Sequence, residues 1–185
     1  MKYKELNYNV IQLKITKWRN VDLNIINKKK QLLELFKTII LSIIIAFIIT
    51  RFVRPIVIQG NSMVPTFFHG ERYFVNKVAY VNSSPKRNDI IVFKIPHEEI
   101  FLIKRVVAVE GDTVSIKDNE LYVNGEKVNE PYIKETMITP DIKEIQLHKD
   151  EVFVLGDNRN NSNDSRNFGP IKKGMILGKL ITFSK

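Results

Sequence analysis

Cysteine is absent from the 185 residues, which excludes disulfides, thiolate nucleophiles and cysteine-ligated metals at once. Histidine is nearly as scarce: His69, His97 and His148 are the only three. "HEEI" at His97 has no second histidine at the spacing of the H-E-x-x-H zinc motif. None of the three sits in a carboxylate pattern that would make it a catalytic base. No metal and no other cofactor is therefore expected. Low-complexity linkers and internal repeats are also missing, and 44% hydrophobic with 26% charged residues is the composition of a folded chain. The length suits one domain with a core plus a tail or anchor.

What is present is unevenly distributed. The net charge of +9 would suit a nucleic-acid binder, but residues 1–37 hold nine lysines and arginines against three acids. A basic cluster directly before an apolar segment fits an anionic membrane surface better than nucleic acid. No zinc-finger spacing or aromatic-glycine RNA motif accompanies it, so no nucleic-acid partner is expected.

The one long apolar run is "LLELFKTIILSIIIAFIITRFV", residues 32–53. As a helix these 22 residues would reach about 33 Å, the thickness of a bilayer core. "IILSIIIAFII" has no polar stripe to show to water, and no small-x-small cleavage pattern follows it. The segment reads as a transmembrane helix, with Lys37 and Arg51 near its ends. "NKKK" ahead of the span puts residues 1–31 in the cytoplasm and residues 54–185 outside. The first 30 residues read equally as a surface-lying helix or a loose tail.

Beyond the span the pattern turns to short strands. "PIVIQG", "DIIVFKI", "FLIKRVVAVEG", "TVSIKD" and "EVFVLGD" are rich in Val, Ile and Phe and bounded by turn residues. "LYVNGEKV" is a hairpin with Asn124-Gly125 at its turn. The expected fold is one mainly β domain preceded by a single N-terminal transmembrane helix.

Three segments carry chemistry. Ser62 in "GNSMVPT" lies between a glycine turn and Pro65, a setting that suits an ordinary turn serine or a hydroxyl held out beside backbone N–H groups. Lys104 in "FLIKRVVAVEG" is one of two cations in an otherwise apolar strand, the other being Arg105. Two readings are open for it: an edge lysine reaching water, or a desolvated amine whose lowered pKa makes it a base for a serine. "GDNRNNSNDSRNFGP", residues 156–170, is dense in hydrogen-bonding groups. It is either a solvated loop or a fixed polar network supporting a site, with Asp164 and Arg166 as the pair expected to be linked.

Taken in order behind an anchor, "GNSMVPT", "KRNDIIVF", "KRVVAVEGD" and "GDNRNNSNDSR" resemble the bacterial type I signal peptidases, membrane-bound serine endopeptidases that remove signal peptides from exported proteins. The resemblance runs from about residue 35 to the end. It implies a signal-peptidase-like β domain with Ser62 as nucleophile and neutral Lys104 as general base. It also implies that Ser162 orients the lysine amine and that Asp164 and Arg166 form a structural ion pair. The oxyanion would be held by the Ser62 N–H and a second donor two residues earlier. Some members have a serine there, whereas this chain has Gly60, so a backbone N–H or a water is expected to serve. Ile58, Met63 and Ile103 match positions lining substrate pockets, which implies cleavage after small residues at an Ala-x-Ala-like site. Asn88 stands where many members have glycine. The partners implied are signal peptides of exported preproteins, membrane lipid and the secretion translocon.

Competing readings are a self-cleaving repressor, which should carry a DNA-binding domain in place of the apolar run, a protease dedicated to one or few substrates, and a tethered non-catalytic module of the same fold.

Overall fold

The computed structural model describes residues 2–96 and 100–182, with side chains from residue 27 onward. The chain separates into two compact units, Met1–Ile49 and Thr50–Lys185.

A single helix, α1, runs from Lys2 to Phe52, so the backbone before the apolar segment is helical rather than a loose tail. Within its stretch Asn27–Phe52 an 18-residue window reaches a mean hydropathy of 2.5, and every side chain from residue 27 to residue 52 is exposed. Apolar residues on all faces of a helix call for a non-aqueous surrounding. The polar side chains within it bond locally: Lys37 pairs with Glu34 at 2.9 Å, and the hydroxyls of Thr38 and Ser42 donate to the carbonyls of Glu34 and Thr38. Such back-bonding leaves those hydroxyls no need of water. The helix fits a single-pass membrane anchor. It ends one residue earlier than expected, because Val53 already pairs with Asn76 in the first strand.

The second unit is built from eleven strands, β1 (Val53–Val57), β2 (Arg72–Asn76), β3 (Ile90–Phe93), β4 (Leu102–Ala108), β5 (Thr113–Lys117), β6 (Glu120–Val123), β7 (Glu126–Lys127), β8 (Ile142–Gln146), β9 (Glu151–Leu155), β10 (Ile171–Lys172) and β11 (Ile176–Ile181). They form a seven-stranded sheet in the order β1-β2-β11-β3-β4-β9-β10 and a four-stranded sheet in the order β7-β6-β5-β8. All pairings are antiparallel. Among the described residues of this unit the one α-helix, α2 (Ser165–Phe168), is a single turn.

Strand β3 shows why the large sheet holds. Ile90 and Val92 pack into one apolar cluster with Ile58, Met63, Phe67, Val75 and Leu180. Ile91 and Phe93 pack into another with Val106, Val152, Val154 and Ile171. Side chains alternate across a strand, so a strand apolar at every position is covered on both faces. A third cluster joins Val107, Phe153 and Leu155 to Val114, Ile116, Leu121 and Val123 of the small sheet.

Turn chemistry fixes the connections. Asn124 and Gly125 take φ of 57° and 77°, as the β6–β7 hairpin requires. Asp118 and Asn119 do the same between β5 and β6, with φ of 52° and 63°. Asn88, where related sequences were expected to have glycine, has φ of 72°. Asparagine tolerates this left-handed conformation better than other residues with a Cβ.

Candidate active site

Ser62 lies on the turn between β1 and β2, which begins at Gly60 with φ of 81° and contains the cis peptide Val64-Pro65. Several bonds hold its downstream part. The Phe67 N–H donates to the Met63 carbonyl at 2.9 Å, the Asn158 N–H to the Ser62 carbonyl at 3.0 Å, and Asn158 Nδ2 to the Asn61 carbonyl at 3.1 Å. The Ser62 side chain is half-buried, and its N–H meets no protein acceptor among the described residues. That N–H is free to receive an oxyanion.

Lys104 enters from the middle of β4 and is 2% exposed. Its Nζ donates to Ser62 Oγ at 2.8 Å and to the Ile103 carbonyl at 3.0 Å. Among the described residues it has no carboxylate partner within ion-pair distance. Burial therefore dominates and lowers the lysine pKa to about 8, with the charges of Asp164 and Asp157 opposing from further away. Lys104 is therefore a buried lysine and not an edge lysine reaching water.

Arg105, the next residue, points into an ion-pair network. Its guanidinium grips Asp157 in bidentate fashion at 2.8 and 2.6 Å and covers the Tyr132 ring at 3.9 Å. Thr66, four residues beyond Ser62, donates to the same carboxylate. Asp157 thus ties β4 to the serine turn. Two further buried pairs support the loop. Arg159 holds Glu130 at 2.6 and 2.5 Å, and Arg166 holds Asp164 at 2.8 and 2.9 Å. Asp164 also accepts from the Gly156 N–H at 3.0 Å. The segment 156–166 is a fixed network rather than a solvated loop.

The other expected site residues are placed as follows. Ser162 packs its hydroxyl against Gly156; Oγ is buried, makes no hydrogen bond, and is not bonded to Lys104. The Gly60 N–H donates to His69 Nδ1 at 3.2 Å. Ile58, Met63 and Ile103 line a cavity of about 350 Å³ that also reaches Ser62, Lys104, Pro55, Val57 and Leu102. Ile58 and Met63 are almost fully buried, so they form its floor. Arg54 lies over the Phe101 ring at its rim, 5.0 Å from the centroid. His148 is exposed and bonded only through its backbone, its N–H donating to the Glu151 carboxylate and its carbonyl accepting from the Glu151 N–H, and His97 lies outside the described residues. No described histidine touches Ser62.

Sequence reading missed Thr66, Asn158 and the Arg105–Asp157 and Arg159–Glu130 pairs. Two cations in an apolar strand did signal that Arg105 needed a partner, but partners 52 and 29 residues apart in sequence have no local pattern.

A serine hydroxyl bonded to a buried lysine amine of lowered pKa, beside an open N–H and an apolar cleft, is the arrangement that a hydrolase of the serine–lysine class would need. Residues 32–184 match the family described as "Signal peptidase, peptidase S26". The chain is 38% identical over 162 residues to signal peptidase I P of Bacillus subtilis subsp. natto, covering 82% of this chain and 88% of that one. It is 37% identical over 177 residues to signal peptidase I T of Bacillus subtilis (strain 168), covering 89% and 92%. A crystal structure of a signal peptidase I from Enterococcus faecalis V583 aligns with TM-score 0.47 and 32% identity, covering 54% of this chain and 98% of that one. The chain belongs to peptidase family S26 as a bacterial type I signal peptidase, a serine endopeptidase.

Proposed function

We propose that this enzyme cleaves signal peptides from exported preproteins after small residues, with Ser62 as nucleophile and neutral Lys104 as general base. The observation that carries the reading is the 2.8 Å contact between Lys104 Nζ and Ser62 Oγ at a site where burial has brought the amine near neutrality. The Oγ–H proton passes to Nζ as Oγ bonds to the scissile carbonyl carbon. The oxyanion is received by the Ser62 N–H. The ammonium then gives its proton to the departing amine, leaving an acyl-enzyme. Water attacks the ester, Nζ takes a water proton, and that proton returns to Ser62 as the ester bond breaks.

Asp164 and Arg166 hold the segment that carries Ser162 and Gly156, and the Ser162 hydroxyl bounds the space beside Ser62. The cleft over Ile58, Met63 and Ile103 favours small side chains at positions −1 and −3. Residues 1–31 stay cytoplasmic behind "NKKK", residues 32–53 span the bilayer, and residues 54–185 form the extracytoplasmic catalytic domain. Ser62 follows Phe52 by only ten residues. An enzyme tethered so close to its anchor, in contact with membrane lipid, meets a substrate tethered in the same bilayer, or handed on by the translocon, at high effective concentration.

The deciding experiment is cleavage of a preprotein with an Ala-x-Ala site by the detergent-solubilised full chain, with the cut located by mass. Cleavage after the second alanine supports the reading. A folded enzyme that leaves this substrate intact but processes a single native one points to a dedicated protease, and one that binds without cutting points to a non-catalytic module.

A further inference from the structure

Asn158 holds the Asn61 and Ser62 carbonyls, and Thr66 and the Phe67–Met63 bond restrain the turn beyond Ser62. At Gly60 itself there is one restraint among the described residues, the bond from its N–H to His69 Nδ1 at 3.2 Å. Its place in the fold is specific. The β1–β2 ladder sets Val57 opposite Arg72, and two more main-chain bonds extend it, from the Ile58 N–H to the Glu71 carbonyl and from the Gly70 N–H to the Ile58 carbonyl, both at 2.9 Å. Gly70, at φ of 86°, and Glu71 thus both oppose Ile58, a bulge that ends the regular register just before His69. Gly60, at φ of 81°, has also left the extended region, so no main-chain rung forms there. The imidazole supplies the acceptor in its place.

We infer that His69 is a positioning residue: its side chain caps the Gly60 N–H just past the end of the β1–β2 ladder and fixes the Gly60 turn that aims Ser62. The inference rests on the reading of Ser62 as nucleophile. It assigns to His69 a task distinct from proton transfer, since the imidazole acts through Gly60 and does not touch Ser62. It also removes the Gly60 N–H from the candidate oxyanion donors, because that N–H is already committed. The acceptor must be a neutral nitrogen with its lone pair at Nδ1, so the ring proton resides on Nε2.

Asparagine places Oδ1 at the branch position of Nδ1 and keeps an acceptor, whereas leucine keeps the size and removes it. The test compares His69→Asn and His69→Leu in the detergent-solubilised full chain, reading kcat and KM for preprotein cleavage and hydrogen exchange at the Gly60 amide. His69→Asn should keep kcat within about threefold of wild type, and His69→Leu should lose about tenfold with KM little changed, the scale of one lost hydrogen bond in a site sensitive to misplacement. Gly60 exchange should accelerate in the leucine variant alone. Equal kcat in the two variants, or unchanged Gly60 exchange in His69→Leu, overturns the inference. If the wild type cleaves nothing, the nucleophile reading fails, and the exchange arm still decides whether the cap exists.

Discussion

Gly156 and Ser162 meet with no room for a methyl group between them: a Cβ on Gly156 would lie 2.2 Å from Ser162 Oγ and 2.6 Å from the Ser62 carbonyl oxygen. Rotating the hydroxyl would still leave the Ser162 Cβ at 2.6 Å, and the Ser62 carbonyl is backbone and is itself held by the Asn158 N–H. Gly156→Ala is expected to displace the nucleophile and cost about a hundredfold or more in kcat, the loss associated with roughly an ångström of misplacement. Adding Ser162→Gly removes the hydroxyl clash but not the backbone one, so the double variant should stay impaired. Recovery of wild-type kcat in the double variant would show that the Ser162 clash alone matters.

Removing either member of the serine–lysine pair should abolish cleavage without unfolding the protein. Ser62→Ala and Lys104→Ala are each expected to lose at least about a thousandfold in kcat/KM, with near-ultraviolet circular dichroism unchanged. Lys104 is held by burial and by two hydrogen bonds, not by an ion pair, so truncating it strands no charge. Wild-type-like turnover in either variant would remove the pair from the mechanism.

The pH profile follows from the same burial. In the proposed mechanism the active amine is the unprotonated one, and burial lowers its pKa to about 8. The logarithm of kcat/KM should rise with unit slope below that pH and level off above it. Asp164→Asn removes a negative charge that favours the ammonium, so the midpoint should move to lower pH. The same change leaves Arg166 buried without its carboxylate, which should destabilise the fold by about 3–5 kcal/mol. A midpoint unmoved in a folded Asp164→Asn variant would show that this charge does not reach Lys104.

How much of this was legible in the sequence depends on the range of the interaction. The apolar run, strands β3, β4, β5 and β9, and the Asn124-Gly125 turn announce themselves within a few residues, because burial on one or both faces and positive φ leave local traces. The dyad was visible as a serine in a turn and a lysine in an apolar strand, joined by resemblance to known motifs. Strands β2, β8, β10 and β11 were not anticipated. "RYFVN" and "IKEIQ" carry charges on half-exposed faces, and "ILGKLI" contains both a glycine and a lysine, so their pairing partners decide their conformation. The Arg105–Asp157 and Arg159–Glu130 pairs, and the cap made by His69, arise from contacts between distant segments. Composition offers no signal for those beyond the rule that a buried charge needs a partner.

The final prediction concerns stability, and its sign is opposite to that of activity. A lysine whose pKa falls from 10.5 in the unfolded chain to about 8 in the folded one binds fewer protons when folded. Wild-type stability therefore carries a full penalty below pH 8, which is relieved as pH rises through the window between these two values. Lys104→Met keeps an unbranched apolar stem and removes the charge. At pH 7 the variant escapes about 3 kcal/mol of charge burial and loses two hydrogen bonds worth about 1 kcal/mol each, a net gain on the order of 1 kcal/mol. Above pH 10.5 only the lost bonds count, and wild type should be the more stable. Thermal unfolding of the two full chains between pH 7 and 11 should show their midpoints cross, with the inactive variant ahead at neutral pH. Parallel curves would mean that Lys104 titrates alike in the folded and unfolded states, and the neutral-amine mechanism would lose its physical basis.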